Sequence, residues 1–574
     1  MTGDFPVALF LILGAALVPL FRGAARTAWM LLLPVAAFAY LLAVPQGNHG
    51  QVELLGQTLV LMRVDKLSLL FGYIFLIATL LSVVYALHVD DVQQHVAGLV
   101  YAGSAIGAVF AGDLISLFLY WEITAVSSVL LIWARRGEHS AATGMRYVIV
   151  QLLSGMFLLA GGLMHWQATG SLEFGQVGVS GQVGGTAGAL ILIAFGIKSA
   201  FPLLHNWLPD AYPEATPTGT VFLSAFTTKL GIYALARAFP GTEMLIWVGT
   251  LMAAFPIFYA VIENDLRRVL AYSMNNQLGF MVVGIGIGSE LAINGAVAHA
   301  FADILFKGLL FMSMGAVLLR TGTIKGSELG GLYKSMPWTA GFCMVGAASI
   351  SAFPLFSGFV TKSMIMSAAA GEGLLLTWLV LLFASAGVFH HAGIKIPYFA
   401  FFAHDSGIRC AEAPRNMLVA MGIAAALCIG IGIFPQALYA LLPFATDYAP
   451  YTASHIVAQL QLLFFSALAF AVLMRTGIYP PELRSLNLDS DWFYRKAATA
   501  VAASFRHALR ETYAGLGEGI AARVAAVGNC IVRHRQSDGL LVRSWPTGSM
   551  ALWVMVMLLA YLLLYYIGKA GANG

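Results

Sequence analysis

An all-α integral membrane protein is the fold class this sequence predicts, and three observations lead there. Of 574 residues, 59% are hydrophobic and only 10% are charged, against about a quarter charged in soluble domains. Mean hydropathy is +0.82, and apolar runs cover nearly the whole length, more than any soluble surface could hide. The charges that remain are sorted by position. A span needs about 20 predominantly apolar residues. Sixteen candidates start near residues 5, 28, 67, 97, 114, 142, 186, 217, 243, 269, 291, 338, 374, 416, 453 and 548. The short links between them leave no room for a soluble enzyme domain.

Basic residues in short links stay on the cytoplasmic side. With sixteen spans, the odd-numbered links hold 22 of the 31 Lys and Arg, the other side holds only Arg63, Lys66, Arg237 and Lys569, and five lie within spans. Both termini are therefore expected on the non-cytoplasmic side of the membrane. The opening Met-Thr-Gly-Asp-Phe-Pro has no basic residue before Arg22, which does not fit a cleavable signal peptide, so the first apolar run counts as a membrane helix. The long link 476–547 is cytoplasmic on this count. Apolar residues recur in it at helical spacing from Phe493 through Val501, Phe505 and Leu509 to Ile531, predicting an amphipathic lateral helix that either braces the bundle or simply lies on lipid.

Several function classes fall away. The net charge of +4 shows no basic patch for nucleic acid, and Cys343, Cys410, Cys428 and Cys530 form no CxxC pair, so neither a disulfide framework nor a metal cluster is expected. Gly284-Ile285-Gly286-Ile287-Gly288 lacks the strand and fingerprint of a nucleotide loop, and close helix packing explains it better. No cofactor is expected.

Ser199-Ala200-Phe201-Pro202-Leu203 in the seventh span recurs as Ser351-Ala352-Phe353-Pro354-Leu355 in the twelfth. Each proline lacks the N–H that would bond the carbonyl four residues back, freeing those of Lys198 and Ile350 in mid-membrane. Broken helices at corresponding places in two halves point to a transport site built from repeats. Two inverted five-helix repeats are therefore expected.

Five lysines lie inside spans: Lys198, Lys229, Lys307, Lys362 and Lys395. Each costs roughly 2.5–3.5 kcal/mol at the bilayer centre, so an ion or proton path is the default reading. Glu122 in the fifth span is the natural partner of Lys198, as a switch with coupled titrations or as a static staple. His299, Asp303 and Lys307 are spaced four apart on one helix face, where histidine can relay protons; the lysine disfavours a metal there. His390 and His391 precede Lys395, and at most one of the two can line a path. Asp113, His205 and Asp210 are candidate mouths of the path or caps.

These residues carry a resemblance. Gly112-Asp113-Leu114 through Trp121-Glu122, Gly196-Ile197-Lys198 through Trp207-Leu208-Pro209-Asp210-Ala211, Asp265-Leu266-Arg267-Arg268 through Ser273, and Ser357-Gly358-Phe359-Val360-Thr361-Lys362 resemble motifs of the antiporter-like membrane components of Mrp-type sodium/proton antiporters, respiratory complex I and membrane-bound hydrogenases. The likeness runs from about residue 60 to 440 and is strongest to the D-type branch of the Mrp antiporters, which a lysine at the place of Lys395 also matches.

The resemblance implies that Glu122 and Lys198 serve a first half-channel, Lys229 and His299 the centre, and Lys362 a second half-channel. Many relatives carry a second histidine where this chain has Asp303, which leaves the proton affinity and ion preference of that relay open. The expected layout is 1–96 (three N-terminal helices), 97–240 and 241–405 (the two half-channel repeats), 406–475 (two helices), 476–547 (the lateral segment) and 548–574 (a last helix and tail). The expected function is proton translocation in a multi-subunit sodium/proton antiporter. The alternatives are the pump limb of a redox complex and a coupling partner in inorganic-carbon uptake. Expected partners are other membrane subunits, the lipid bilayer, protons and sodium, with no nucleic acid.

Overall fold

The computed structural model describes residues 5–54, 56–178, 182–477 and 489–490, and beyond them 492, 496–497, 499–506, 510, 525–526, 529 and 547–570. The chain divides into two units, Met1–Asp489 and Ser490–Gly574. The first contains helices α1 (Ala8–Leu17), α2 (Gly23–Ala43), α3 (Lys66–Ala86), α4 (Val92–Phe110), α5 (Leu114–Trp133), α6 (Glu138–Thr169), α7 (Gly185–Lys198), α8 (Trp207–Ala211), α9 (Gly219–Ala225) and α10 (Thr227–Ala238). It continues with α11 (Met244–Ile262), α12 (Leu266–Ile287), α13 (Glu290–Thr321), α14 (Pro337–Ile350), α15 (Ser357–Gly371), α16 (Leu375–Val388), α17 (Arg415–Ile433), α18 (Gln436–Tyr439) and α19 (Ala453–Thr476). A π-helical turn, Phe389–Lys395, follows α16. In the second unit Thr547–Ala570 is helical. Most of the expected lateral helix, with Cys530, lies outside the described residues; 499–506 are helical and exposed.

Among the described residues ten helical stretches are long and apolar enough to cross a membrane. The first unit is inverted relative to a soluble protein. Leu119, Ile123, Val126 and Leu130 on α5 and Met145, Ile149 and Met156 on α6 face outward, while Lys198, Lys229, Arg267, His299, Asp303, Lys307 and Lys395 are wholly buried. Apolar residues outside and charges inside are what a lipid solvent selects. Helix α13, buried from Ala292 to Val317, packs against α9, α10, α12, α14, α15 and α17.

The structure adds a feature that an all-α reading lacks. Strands β1 (Gly47–Leu54) and β2 (Gln57–Val64) pair antiparallel, turning at Gly56, whose φ is +75°. The apolar run of β2 buries Leu59, Met62 and Val64, and the Val60 N–H donates to Asp113 Oδ2 at 2.8 Å, pinning the hairpin to the start of α5.

The two proline-marked breaks have one backbone conformation. Ala200 and Leu203 have φ of 59° and 68°, and Ala352 and Leu355 have 57° and 74°. In each break the phenylalanine N–H reaches back five residues, Phe201 to Gly196 O at 2.9 Å and Phe353 to Ala348 O at 3.0 Å. That six-to-one bond around a left-handed residue closes a helix C-terminus. A non-glycine residue held left-handed costs about 1 kcal/mol or more and needs surrounding structure to enforce it. Gly231 of α10 provides part of it: a Cβ there would stand 2.9 Å from Ser199 N.

A third interruption, at Phe226 between α9 and α10, has no proline to mark it. Two tyrosines hold it open. Tyr212 donates to Leu223 O at 2.7 Å, and the Thr227 N–H donates to Tyr101 Oη at 2.9 Å, so the donor and acceptor that would have met in a continuous helix each have a phenol partner.

Helices α11 and α12 pack backbone to backbone, since a Cβ on Gly279 would lie 2.7 Å from Gly249 O. Gly279→Ala is expected to destabilise the protein by about 1–3 kcal/mol through overpacking, read as a lowered melting temperature in detergent. Gly422→Ala, whose Cβ would meet nothing nearer than Phe342 at 3.5 Å, should leave it unchanged.

Candidate functional site

The buried lysines share one local chemistry: each ammonium sits on backbone carbonyls or hydroxyls that face away from water. A helix C-terminus carries partial negative charge and carbonyls without intrahelical partners, so a broken helix offers a cation a seat inside the membrane. Lys362 Nζ donates to Ile350 O at 3.1 Å, the carbonyl that Pro354 frees, and lies 5.0 Å from the Phe280 ring centroid. Lys198 ends α7 beside the other break. It donates to Thr124 Oγ1 at 2.6 Å and to Trp121 O at 3.1 Å, with the Trp121 ring centroid 4.5 Å away. In both places an aromatic face supplements the oxygen ligands.

Glu122 is near Lys198 but does not touch it; no ion pair within 4.0 Å joins them. The expected partners are within electrostatic reach of each other, but direct contact with the ammonium is made by Thr124, one turn of backbone beyond Trp121. The half-buried Glu122 carboxylate instead fills the space over Gly155 of α6, where a Cβ would overlap Oε1. That oxygen has no hydrogen-bond partner.

At the centre, Lys229 of α10 and Asp303 of α13 form an ion pair of 2.6 Å between side chains with no exposure. Lys229 also donates to Ser224 O at 3.1 Å, just before the interruption at Phe226. One turn along α13, Lys307 donates to Ser273 Oγ at 2.9 Å. One turn the other way, His299 lies between Gln277 Oε1 on Nε2 and Thr361 Oγ1 on Nδ1, both at 3.0 Å. The charges of Lys362, Lys229 and Lys307 all act on His299, so these groups form one electrostatic cluster.

The remaining candidates separate from it. Lys395 donates to Val261 O at 2.6 Å, Glu263 O at 2.7 Å and Ala260 O at 3.3 Å, capping the end of α11. Of the adjacent histidines, His391 is fully buried and within electrostatic reach of Lys307, whereas His390 is packed edge-on to Phe470 of α19. Asp113 caps α5, accepting from Ser116 N and Oγ at 2.7 Å. Asp210 accepts both Nε and Nη2 of Arg146 at 2.9 and 2.8 Å, clamping α6 to α8. His205 Nε2 meets Asp489 Oδ2 at 3.1 Å, and Tyr272 donates to the same oxygen at 3.0 Å.

Sequence reasoning missed Thr124, Ser273, Asn276, Gln277 and Thr361, the neutral partners that hold the charged groups. It also missed Arg267, which is wholly buried and makes five hydrogen bonds to the carbonyls of Tyr212, Pro213, Ala215 and Thr216. A motif context existed for Arg267, Ser273 and Thr361; for Thr124, Asn276 and Gln277 no periodicity marks them. Among the described residues no group of His, Cys, Asp and Glu could hold a metal ion.

Residues 111–386 match the family model described as NADH:quinone oxidoreductase/Mrp antiporter, TM. The chain is 27% identical to hydrogenase-4 component B of Escherichia coli over 65% of its own length and 62% of that protein's. It is 31% identical to the D subunit of the Na(+)/H(+) antiporter of Alkalihalophilus pseudofirmus over 46% of its own length and 56% of that protein's. The chain thus spans less than two thirds of these relatives. The fold is that of a chain in the Mrp complex from Dietzia sp. DQ12-45-1b, with a TM-score of 0.66 at 22% identity, covering 81% of this chain and 98% of that one. All the central charged residues from Glu122 to Lys362 fall inside the segment that matches the NADH:quinone oxidoreductase/Mrp antiporter transmembrane model.

Proposed function

We propose that this protein translocates protons across a bacterial cytoplasmic membrane as one member of a multi-subunit cation/proton antiporter, in the D-type position of the Mrp assemblies. The observation that carries this reading is the buried series Lys198, Lys229 with Asp303, Lys307, His299 and Lys362, set between two helix breaks of one conformation. A static scaffold has no use for so many ionisable groups in oil. In this reading residues 97–240 and 241–405 are inverted repeats, each forming a half-channel, within sixteen spans. Both termini lie on the non-cytoplasmic face and the lateral helix on the cytoplasmic one. Glu122 Oε1, both amide atoms of Gln151 and Asp303 Oδ1 are buried without a hydrogen-bond partner. Such groups recruit water, and water joins them into a path.

Asp303 gives the centre a two-position character. It holds Lys229, and Lys307 stands one turn away on the same helix. When Lys229 gives up its proton, the carboxylate turns to Lys307, so the ion pair changes partner as charge passes the middle. The second reading, the pump limb of a redox complex, is favoured by the likeness to hydrogenase-4 component B; the same residues then serve a different driving force. Gentle native purification distinguishes the two. Small membrane subunits without flavin or iron–sulfur absorbance support the antiporter, and bound redox subunits support the pump limb.

Lys198→Ala and Glu122→Ala are expected to abolish proton flux, followed with a pH-sensitive dye in inside-out vesicles carrying the native assembly, while both variants remain in the membrane. Gly155→Ala should reproduce the Glu122 defect, since its methyl takes the carboxylate's place. Normal flux in Lys198→Ala and Glu122→Ala would sink the proposal.

Asp303→Leu should cost about 3–5 kcal/mol by leaving Lys229 charged and unpaired. The double variant Asp303→Leu, Lys229→Met should regain most of that stability and none of the transport, as judged by thermal unfolding and dye quenching together.

A further inference from the structure

His299 is bonded on both ring nitrogens, and a chain of fixed donors determines which nitrogen carries the proton. The chain starts at a backbone carbonyl, which can only accept. Asn276 Nδ2 donates to Ala253 O, so Asn276 must present Oδ1 on its other side. Gln277 Nε2 donates to that Oδ1 at 2.6 Å, so Gln277 presents Oε1 to His299 Nε2 at 3.0 Å. An amide oxygen has no hydrogen to give, so Nε2 must carry one. Reversing either amide would set two donors or two acceptors against each other in a place without exposure, since Asn276, Gln277 and His299 are all 0% exposed.

On the other side the partner is adaptable. Thr361 Oγ1 lies 3.0 Å from His299 Nδ1 and 3.1 Å from Ser357 O. When the ring is neutral, the hydroxyl donates to Nδ1. When a proton arrives at Nδ1, that N–H donates to Oγ1 and the hydroxyl turns to Ser357 O. Every group is satisfied in both states, with a hydroxyl rotation as the sole movement. Thr361 precedes Lys362 on α15.

We propose that Asn276 and Gln277 are positioning residues that hold His299 in its Nε2-protonated form, so that it loads and unloads its proton only at Nδ1, on the Thr361 and Lys362 side. The inference rests on the proton-path reading for its purpose but not for its geometry. The ring's surroundings are Lys362 on α15, Lys229 on α10, and Asp303 and Lys307 on its own helix, with Phe280 of α12 and Phe306 packed against it.

The test is the ring-nitrogen spectrum of the full chain labelled with 15N-histidine, the His299 signals being those lost in His299→Gln. At a pH where the ring is neutral, the expected result is protonated Nε2 and bare Nδ1. Gln277→Met, which removes the acceptor at similar volume, should abolish that preference. A wild-type spectrum with protonated Nδ1 and bare Nε2 would overturn the proposal, and needs no variant to fold. So would an unchanged tautomer in Gln277→Met. In the flux assay Gln277→Met should shift the pH profile while retaining transport, which loss of a purely structural contact would not do. The spectrum remains decisive even if Lys198→Ala transports normally, so failure of the path reading and failure of this inference are separable.

Discussion

Inside a bilayer no backbone carbonyl or N–H can turn to water, so any interruption of a helix must be answered by another part of the protein. This constraint organises the interior. Each break at Ala200 and Ala352 releases polar backbone that another side chain answers, the neutral Trp207 Nε1 at Ile197 O at 2.9 Å and the charged Lys362 at Ile350 O, and Lys395 does the same for the end of α11. Lys362, Lys395 and Lys229 are coordinated in part by carbonyls at helix ends or interruptions, whereas Lys198 and Lys307 take their partners from α5 and α12. Structural need and ionisable chemistry thus occupy the same atoms.

That overlap explains why much was legible in the sequence alone. Prolines at Pro202 and Pro354 mark where carbonyls come free, and a lysine in an apolar run is conspicuous by cost alone. What stayed hidden has no such mark. The interruption at Phe226 is made by Tyr101 on α4 and Tyr212 in the turn after α8, and neither carries a charge or a periodicity that marks it. Thr124 contacts the Lys198 ammonium directly where Glu122 was expected to, the two residues being about 200° apart around α5. The hairpin at 47–64 falls in the link between the spans expected from 28 and 67, and only the pairing of its strands distinguishes it from a loop.

Neutral residues form a second layer of the site. Ser273, Asn276 and Gln277 lie on one helix, α12, and between them contact Lys307 and His299. None is charged, so none attracts notice in a search for intramembrane charges, although hydrogen bonds of this kind decide where a proton can reside. The central Asp303, by contrast, is visible as a departure from the resemblance, and its carboxylate lies 2.6 Å from the Lys229 ammonium.

Arg267 has a mechanical consequence. Its guanidinium gathers the carbonyls of Tyr212, Pro213, Ala215 and Thr216, and its backbone belongs to α12, six residues before Ser273 and ten before Gln277. The loop that follows the first break is therefore bolted to the helix that carries Ser273 and Gln277, the partners of Lys307 and His299. A displacement of that loop either shears five hydrogen bonds of a buried cation or carries α12 with it as a lever. Arg267 is thus one of the rigid links between that loop and α12.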